Sequence, residues 1–176
     1  VTAVRPADGF DEAELLRLSA SLERSSEHPL ADAVVRAASD QNLVLSEASD
    51  FDSPVGRGVT GVVDGRRVAL GNSRYLAEIG VDVGTLEVEA EALRQEGATA
   101  IFVAVDGAAA GVLGIADPVK ATTAEAIRDL KASGLRLVMM TGDNRTTAEA
   151  VAFEWVRDAA HPQFKAVSKL VIERVR

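Results

Sequence analysis

The sequence predicts an α+β fold: an antiparallel sheet flanked by helices, followed from Asp117 by an incomplete α/β portion. Three observations carry that reading. Two apolar stretches each fold back on themselves at an Asp-Gly dipeptide, Asp64-Gly65 and Asp106-Gly107, a strong short-range hairpin signal. Between and before them, apolar residues recur at helical spacing. After Asp117 the order becomes helix, strand, helix, which places a boundary near Ala116 and divides the chain into 1–116 and 117–176.

Taken in order, Thr2 to Val4 reads as a short strand. Asp11 and Glu14 have the spacing of a capping box before Leu15, Leu18 and Leu22, which share a helical face. Ser25-Ser26-Glu27-His28 ends that helix, and Pro29 suits the first turn of the next, with Leu30, Ala33, Val34 and Ala37 inward. Leu43 to Phe51 is expected as a strand. The glycine-rich stretch Gly56 to Gly61 enters the first hairpin, which returns through Val68-Ala69-Leu70. A short helix follows from Ser73 to Ile79. The next, from Gly84 to Glu96, turns Leu86, Ala90 and Leu93 inward and stops at Gly97. Ala100 to Ile115 forms the second hairpin. Beyond it, Lys120 to Ser133 reads as a helix ended by Gly134 and Leu135 to Met140 as a buried strand. A helix begins at Thr146, and Phe164, Val167, Leu170 and Val171 fall at helical spacing in the terminal stretch.

Composition narrows the function classes. At 47% apolar and 26% charged, the 176 residues are an ordinary globular mixture able to bury a core. A formal net charge of -8 without a Lys/Arg run speaks against nucleic acid as a partner, since that binding rests on phosphate neutralisation. The absence of cysteine excludes disulfides, thiolate metal sites and cysteine nucleophiles, and two histidines make a multi-histidine zinc site a poor fit. The longest apolar region, Ala100 to Ala116, is interrupted by Asp106-Gly107 and is too short to span a bilayer.

Three groups of residues could carry chemistry. Gly56, Gly58 and Gly61 are spaced G-x-G-x-x-G, which three structures use. A dinucleotide site needs a helix after the glycines, yet a hairpin follows. A kinase loop does sit on a hairpin but needs a strand lysine and a His-Arg-Asp loop, and neither is found. Turn geometry alone remains a third reading. Glu23 and His28 form the second group: an imidazole can stack on a purine and a carboxylate can accept from an exocyclic amine, or His28 can simply cap a helix. The third is Thr141-Gly142-Asp143-Asn144 at a strand's carboxyl end, where phosphate sites of open α/β sheets lie, or a plain loop and helix cap.

Together these groups resemble the cytoplasmic region of heavy-metal-transporting P-type ATPases, copper-transporter-like branch. Ser26-Glu27-His28-Pro29-Leu30 is similar to the S-E-H-P-L motif of that family's nucleotide-binding (N) domain, Gly56-Arg57-Gly58 to its G-x-G and Gly71-Asn72 to its G-N. Asp117-Pro118-Val119-Lys120 and Thr141-Gly142-Asp143-Asn144 resemble segments of its phosphorylation (P) domain, which has a haloacid-dehalogenase-like α/β fold. The resemblance runs from about Val1 to Ala152. It implies ATP as ligand and Mg²⁺ in the complete enzyme. His28 would sit against adenine and Glu23 would contact its amino group. Gly56 and Gly58 would admit the triphosphate along bare backbone, with Val59, Gly71 and Asn72 lining the pocket. Thr141 and Asp143 would position the γ-phosphate, Asp117 would hold the closed arrangement, and Lys165 of Pro162-Gln163-Phe164-Lys165 would contact phosphate.

The departures are as specific. The sequence contains no D-K-T-G-T segment, whose aspartate the family phosphorylates and which would precede Val1. Nor does it contain the later G-D-G-x-N-D or a Cys-Pro-Cys ion motif. The resemblance therefore implies the soluble cytoplasmic part of an integral membrane transporter, working with the remaining P, actuator and transmembrane domains. It leaves the ion and the oligomeric state open. A stand-alone or degenerate ATP-binding regulatory module is the alternative, and a haloacid-dehalogenase-like phosphatase a further one.

Overall fold

A computed structural model describes residues 1–117, 122–135, 138–141, 144–157 and 171–174. The chain divides into two units, Val1–Leu93 with Ala100–Ile115, and Arg94–Thr99 with Ala116–Arg176.

The first unit is built on a six-stranded antiparallel sheet in the order β1-β6-β5-β4-β3-β2. Its strands are β1 (Ala3–Pro6), β2 (Ala48–Asp52), β3 (Gly58–Val63), β4 (Arg66–Gly71), β5 (Thr99–Val105) and β6 (Ala108–Ile115). Both Asp-Gly hairpins form as expected. Asp64 and Gly65 take φ of 50° and 77°, Asp106 and Gly107 take 53° and 81°, the left-handed pair whose twist matches that of the flanking strands. The helices are α1 (Glu12–Glu23), α2 (Ala31–Asp40), α3 (Ser73–Glu78) and α4 (Leu86–Gln95). Asp11 caps α1, its carboxylate accepting from the Glu14 amide at 3.0 Å.

Strand register decides which side chains share a face. One row runs Val59, Leu70, Val103 and the next Gly61, Val68, Val105. With Leu15, Leu18 and Leu22 of α1 and Val34 and Ala38 of α2, these residues make the main core. Each fully buried leucine contributes about 1.5–3 kcal/mol, so burial rather than helix propensity holds α1. On the opposite face the row Gly58, Gly71, Phe102 meets Tyr75 of α3, and Gly114 meets Leu93 of α4. Helices on both faces explain why β5 and β6 are buried almost continuously while β3 alternates.

Three expectations are corrected. The first strand lies at Ala3–Pro6 rather than Thr2 to Val4, set by its pairing with Gly111 to Gly114 of β6. The strand expected from Leu43 begins only at Ala48. Asn42 turns left-handed at φ 56°, the Leu43 amide bonds back to the Ala38 carbonyl, and the Ser46 amide donates to Ser21 Oγ. Those donors are engaged by helical elements, so residues 43–47 have no ladder to join. Thirdly, Val171 does not continue a helix: Val171–Arg174 is strand β8, paired in parallel with β7 (Val138–Thr141). Phe164, Val167 and Leu170, which share that spacing, lie outside the described residues.

The second unit also holds α5 (Thr123–Ala132) and α6 (Arg145–Arg157). Gly134 closes α5 at φ 80°, as the sequence suggested. Thr147, buried in α6, donates from Oγ1 to the Ala98 carbonyl at 3.0 Å.

Candidate functional site

Glu23 is the last residue of α1, where a helix that began at a capped amino end runs out into the loop 24–30. It is only 6% exposed. Its Oε2 is buried and makes no hydrogen bond. Burial pushes the carboxyl above its usual range, and the Ser26 hydroxyl and the nearby His28 only partly pull it back. Leaving such a group unpaired costs roughly 1–3 kcal/mol, and more when it is charged. A buried acceptor that the fold does not satisfy is uncommon in a folded interior.

His28 stands beside it, exposed, on a loop locked by its own hydrogen bonds. The His28 amide donates to Ser26 Oγ at 3.2 Å, and the Leu30 amide donates to His28 Nδ1 at 3.2 Å. With Nδ1 engaged as an acceptor, the neutral ring carries its proton on Nε2. The imidazole face is therefore held still and presented to solvent. Pro29 and Leu30 lead straight into α2, whose first amide, at Ala31, donates to the His28 carbonyl at 2.9 Å. The histidine does support the helix start; that structural role and an exposed flat ring coexist.

The glycines split into two kinds. Gly56 has φ 71° and open space where a Cβ would be. Gly58 and Gly71 face each other across the hairpin and are required by the chain itself: a Cβ on Gly58 would collide with the Leu70 carbonyl oxygen, and one on Gly71 would lie 2.5 Å from Tyr75 Cδ1. Val59 is 5% exposed and packed in the main core. Asn72 caps α3, its Oδ1 accepting from the Tyr75 amide at 2.8 Å. The Asn72 cap follows a local rule, whereas the close approach at Gly58 and Gly71 and the burial of Val59 depend on strand pairing.

Charge around the hairpin is largely committed. Arg57 pairs with Glu78 at 3.0 Å, and Arg66 pairs with Glu14 at 2.9 Å and Asp106 at 3.0 Å. Arg17 of α1 reaches Asp64 at the hairpin turn, at 2.7 Å, and Ser46 Oγ donates to the same carboxylate at 3.0 Å. These exposed contacts set the register of α1 against the hairpin more than they stabilise it. Sequence reading missed this register device, whose only signal is opposite charge at distant positions.

In the second unit Asp117 is exposed and Thr141 closes β7. Asn144 Oδ1 accepts from the Thr146 amide at 2.8 Å at the start of α6. Asp143 and Lys165 lie outside the described residues. Among the described residues no group of three or more His, Asp or Glu side chains could hold a metal ion, and no helix is long and apolar enough to cross a membrane.

A family model described as haloacid dehalogenase-like hydrolase matches residues 3–166. The chain belongs to that family. Within the haloacid dehalogenase-like hydrolases its relatives are metal-transporting ATPases. It is 51% identical over 141 residues to a copper-transporting P-type ATPase of Rhizobium leguminosarum bv. viciae, covering 80% of this chain and 17% of that protein. The crystal structure of a zinc-transporting PIB-type ATPase in the E2.Pi state matches 99% of this chain and 26% of its own at 30% identity and a TM-score of 0.70. The N-domain of HMA8, a copper-transporting P-type ATPase, matches 66% of this chain and 98% of its own at 26% identity and a TM-score of 0.56. The six-stranded sheet with its helices is thus an N-domain-like α+β fold. The chain spans 17–20% of the length of the first curated relatives it matches.

Proposed function

We propose that residues 1–116 form an adenine-nucleotide-binding domain, and that the chain is the ATP-binding cytoplasmic part of a heavy-metal-translocating P-type ATPase. The observation that supports this most is the unpartnered, buried Glu23 Oε2 beside the exposed, hydrogen-bonded ring of His28. In this reading Glu23 accepts a hydrogen bond from the exocyclic amine of the base and the imidazole covers its face. Gly56, with no atom where a Cβ would be, lets the phosphates pass close to the backbone. Gly58, Gly71 and Asn72 shape the hairpin end, and Val59 anchors it to the core. Because Arg57 and Arg66 already hold carboxylates, base contacts carry most of the affinity, which suits a domain that must deliver ATP and release it.

Residues 117–176 belong in this proposal to a phosphorylation domain, with Thr141 and Asp143 positioning the γ-phosphate, Lys165 contacting phosphate and Asp117 holding the closed arrangement. Chemistry of that kind works by positioning and charge neutralisation on an aspartyl acceptor. The cargo proposed is copper, the ion named for the relative of 51% identity. The remaining P, actuator and membrane domains of such a transporter are the proposed partners.

Calorimetry tests the nucleotide site directly. ATP is expected to bind and GTP to bind at least about tenfold more weakly, since guanine offers an oxo acceptor where Glu23 needs a donor. His28→Ala should weaken ATP by about tenfold or more, the cost of losing a stacking partner, with the thermal midpoint of the domain nearly unchanged. Equal affinity for both nucleotides, together with an inert His28→Ala, would overturn the assignment. As a second measurement, radiolabelled ATP and Mg²⁺ should leave no acid-stable phosphoprotein, because the sequence lacks D-K-T-G-T; a labelled band would contradict that.

A further inference from the structure

Among the described residues, two side chains carry a buried polar atom without a hydrogen-bond partner: Glu23 Oε2 and Ser19 Oγ. They are not scattered. Ser19 and Glu23 are four residues apart on α1, one turn above each other on one face. Ser19 is fully buried. A buried serine in a helix ordinarily donates a hydrogen bond to the carbonyl four residues back, as Ser21 does to Arg17 at 2.7 Å. Ser19 does not, although its helix offers the same acceptor. An interior that satisfies the great majority of its buried polar atoms has left its two exceptions adjacent.

We infer that Ser19 is a specificity-determining residue of the nucleotide site, its hydroxyl donating to a ring nitrogen of adenine while Glu23 accepts from the amine. This rests on the reading of Glu23 proposed above and deepens it. The chemistry is that of an acceptor and a donor side by side. Adenine presents the complementary pair on either edge, an N–H of its 6-amino group beside N1 or N7. An asparagine amide reads adenine in DNA through the same polarity. Guanine reverses it at position 6, and hypoxanthine offers an oxo group there. A carboxylate alone selects for an amine; the added hydroxyl fixes how the ring lies in its plane. Ser19 carries no sequence signal for this, because a serine among leucines in a helix reads as a small core residue.

The test uses Ser19→Ala on the whole chain, titrated by calorimetry with ATP, 1-deaza-ATP and 7-deaza-ATP. Removing an unsatisfied buried hydroxyl leaves the thermal midpoint equal or higher. ATP affinity is expected to fall about fivefold to tenfold. One deaza analogue should show the same loss on the unaltered chain, and Ser19→Ala should not distinguish that analogue from ATP. If Ser19→Ala binds ATP as the unaltered chain does while Glu23→Gln and His28→Ala are impaired, Ser19 is a packing residue and this inference fails with the nucleotide site intact. If the losses from Ser19→Ala and from each deaza analogue simply add, the hydroxyl does not meet a ring nitrogen and the inference fails likewise. Should all three variants bind ATP unchanged, the underlying nucleotide reading fails as well.

Discussion

Gly58→Ala is expected to destabilise the first unit by about 3 kcal/mol or more, at the upper end of overpacking costs. The added methyl would strike the Leu70 carbonyl oxygen, and would also sit 2.8 Å from Tyr75 Cδ1 and 2.9 Å from Gly71 Cα. Two of those three atoms are backbone of the paired strand, so relief requires opening the β3–β4 ladder at its first rung. The ring of Tyr75 cannot give way easily either, being 5% exposed and wedged against both glycines. Gly56→Ala is the control. Its φ of 71° costs an alanine roughly 1–2 kcal/mol, but nothing lies in the way of the methyl. Denaturant unfolding followed by circular dichroism measures both. A Gly58→Ala midpoint close to that of Gly56→Ala would show that the strand pair yields more readily than its geometry implies.

Glu23→Gln should move stability and affinity in opposite directions. The folded-state pKa of Glu23 lies above its unfolded value of 4.5, raised first by burial. Between those two values the unfolded chain loses its proton before the folded one does, so stability falls as pH rises through that window and stays reduced above it. Glutamine carries no such penalty. The variant's advantage should be absent at pH 4, grow as pH rises above 4.5 and level off once the folded carboxyl has ionised. ATP affinity should meanwhile drop about tenfold, because a charged acceptor makes the stronger hydrogen bond. Paired denaturant titrations from pH 4 to 8, with calorimetry at neutral pH, read both effects. A stability difference independent of pH would mean the carboxylate is not desolvated. Unaltered affinity would remove Glu23 from base recognition.

The division of labour between the glycines shows where sequence reasoning stopped. G-x-G-x-x-G on a hairpin was legible, and so was the idea that bare backbone lets something approach. What approaches Gly58 and Gly71, however, is the chain itself, through Leu70, Arg57 and Tyr75. Of the G-x-G-x-x-G glycines, Gly56 alone has a left-handed φ and open space where a Cβ would be. Val59 and Asn72 likewise have internal tasks, one in the core and one as a helix cap. The Asn72 cap is local, three residues from the Tyr75 amide it accepts from, but Leu70 against Gly58 and Arg57 against Gly71 are brought there by strand pairing, which local pattern does not reveal.

By itself the sequence determined the local elements and their chemistry. Asp-Gly dipeptides tolerate the left-handed turn and so fixed both hairpins, Asp11 offered the oxygen that starts α1, and apolar spacing turned Leu86, Ala90 and Leu93 inward. These are interactions within a few residues, and local propensity decides them. Tertiary structure alone decided which strands became neighbours, that the Ser46 amide would be spent on Ser21 of α1, and that Val171 would pair with Val138. It also decided that Ser19 Oγ and Glu23 Oε2 would be shut away from water without hydrogen-bond partners. Whether a polar atom is satisfied depends on everything packed around it, and that is settled by the assembled core.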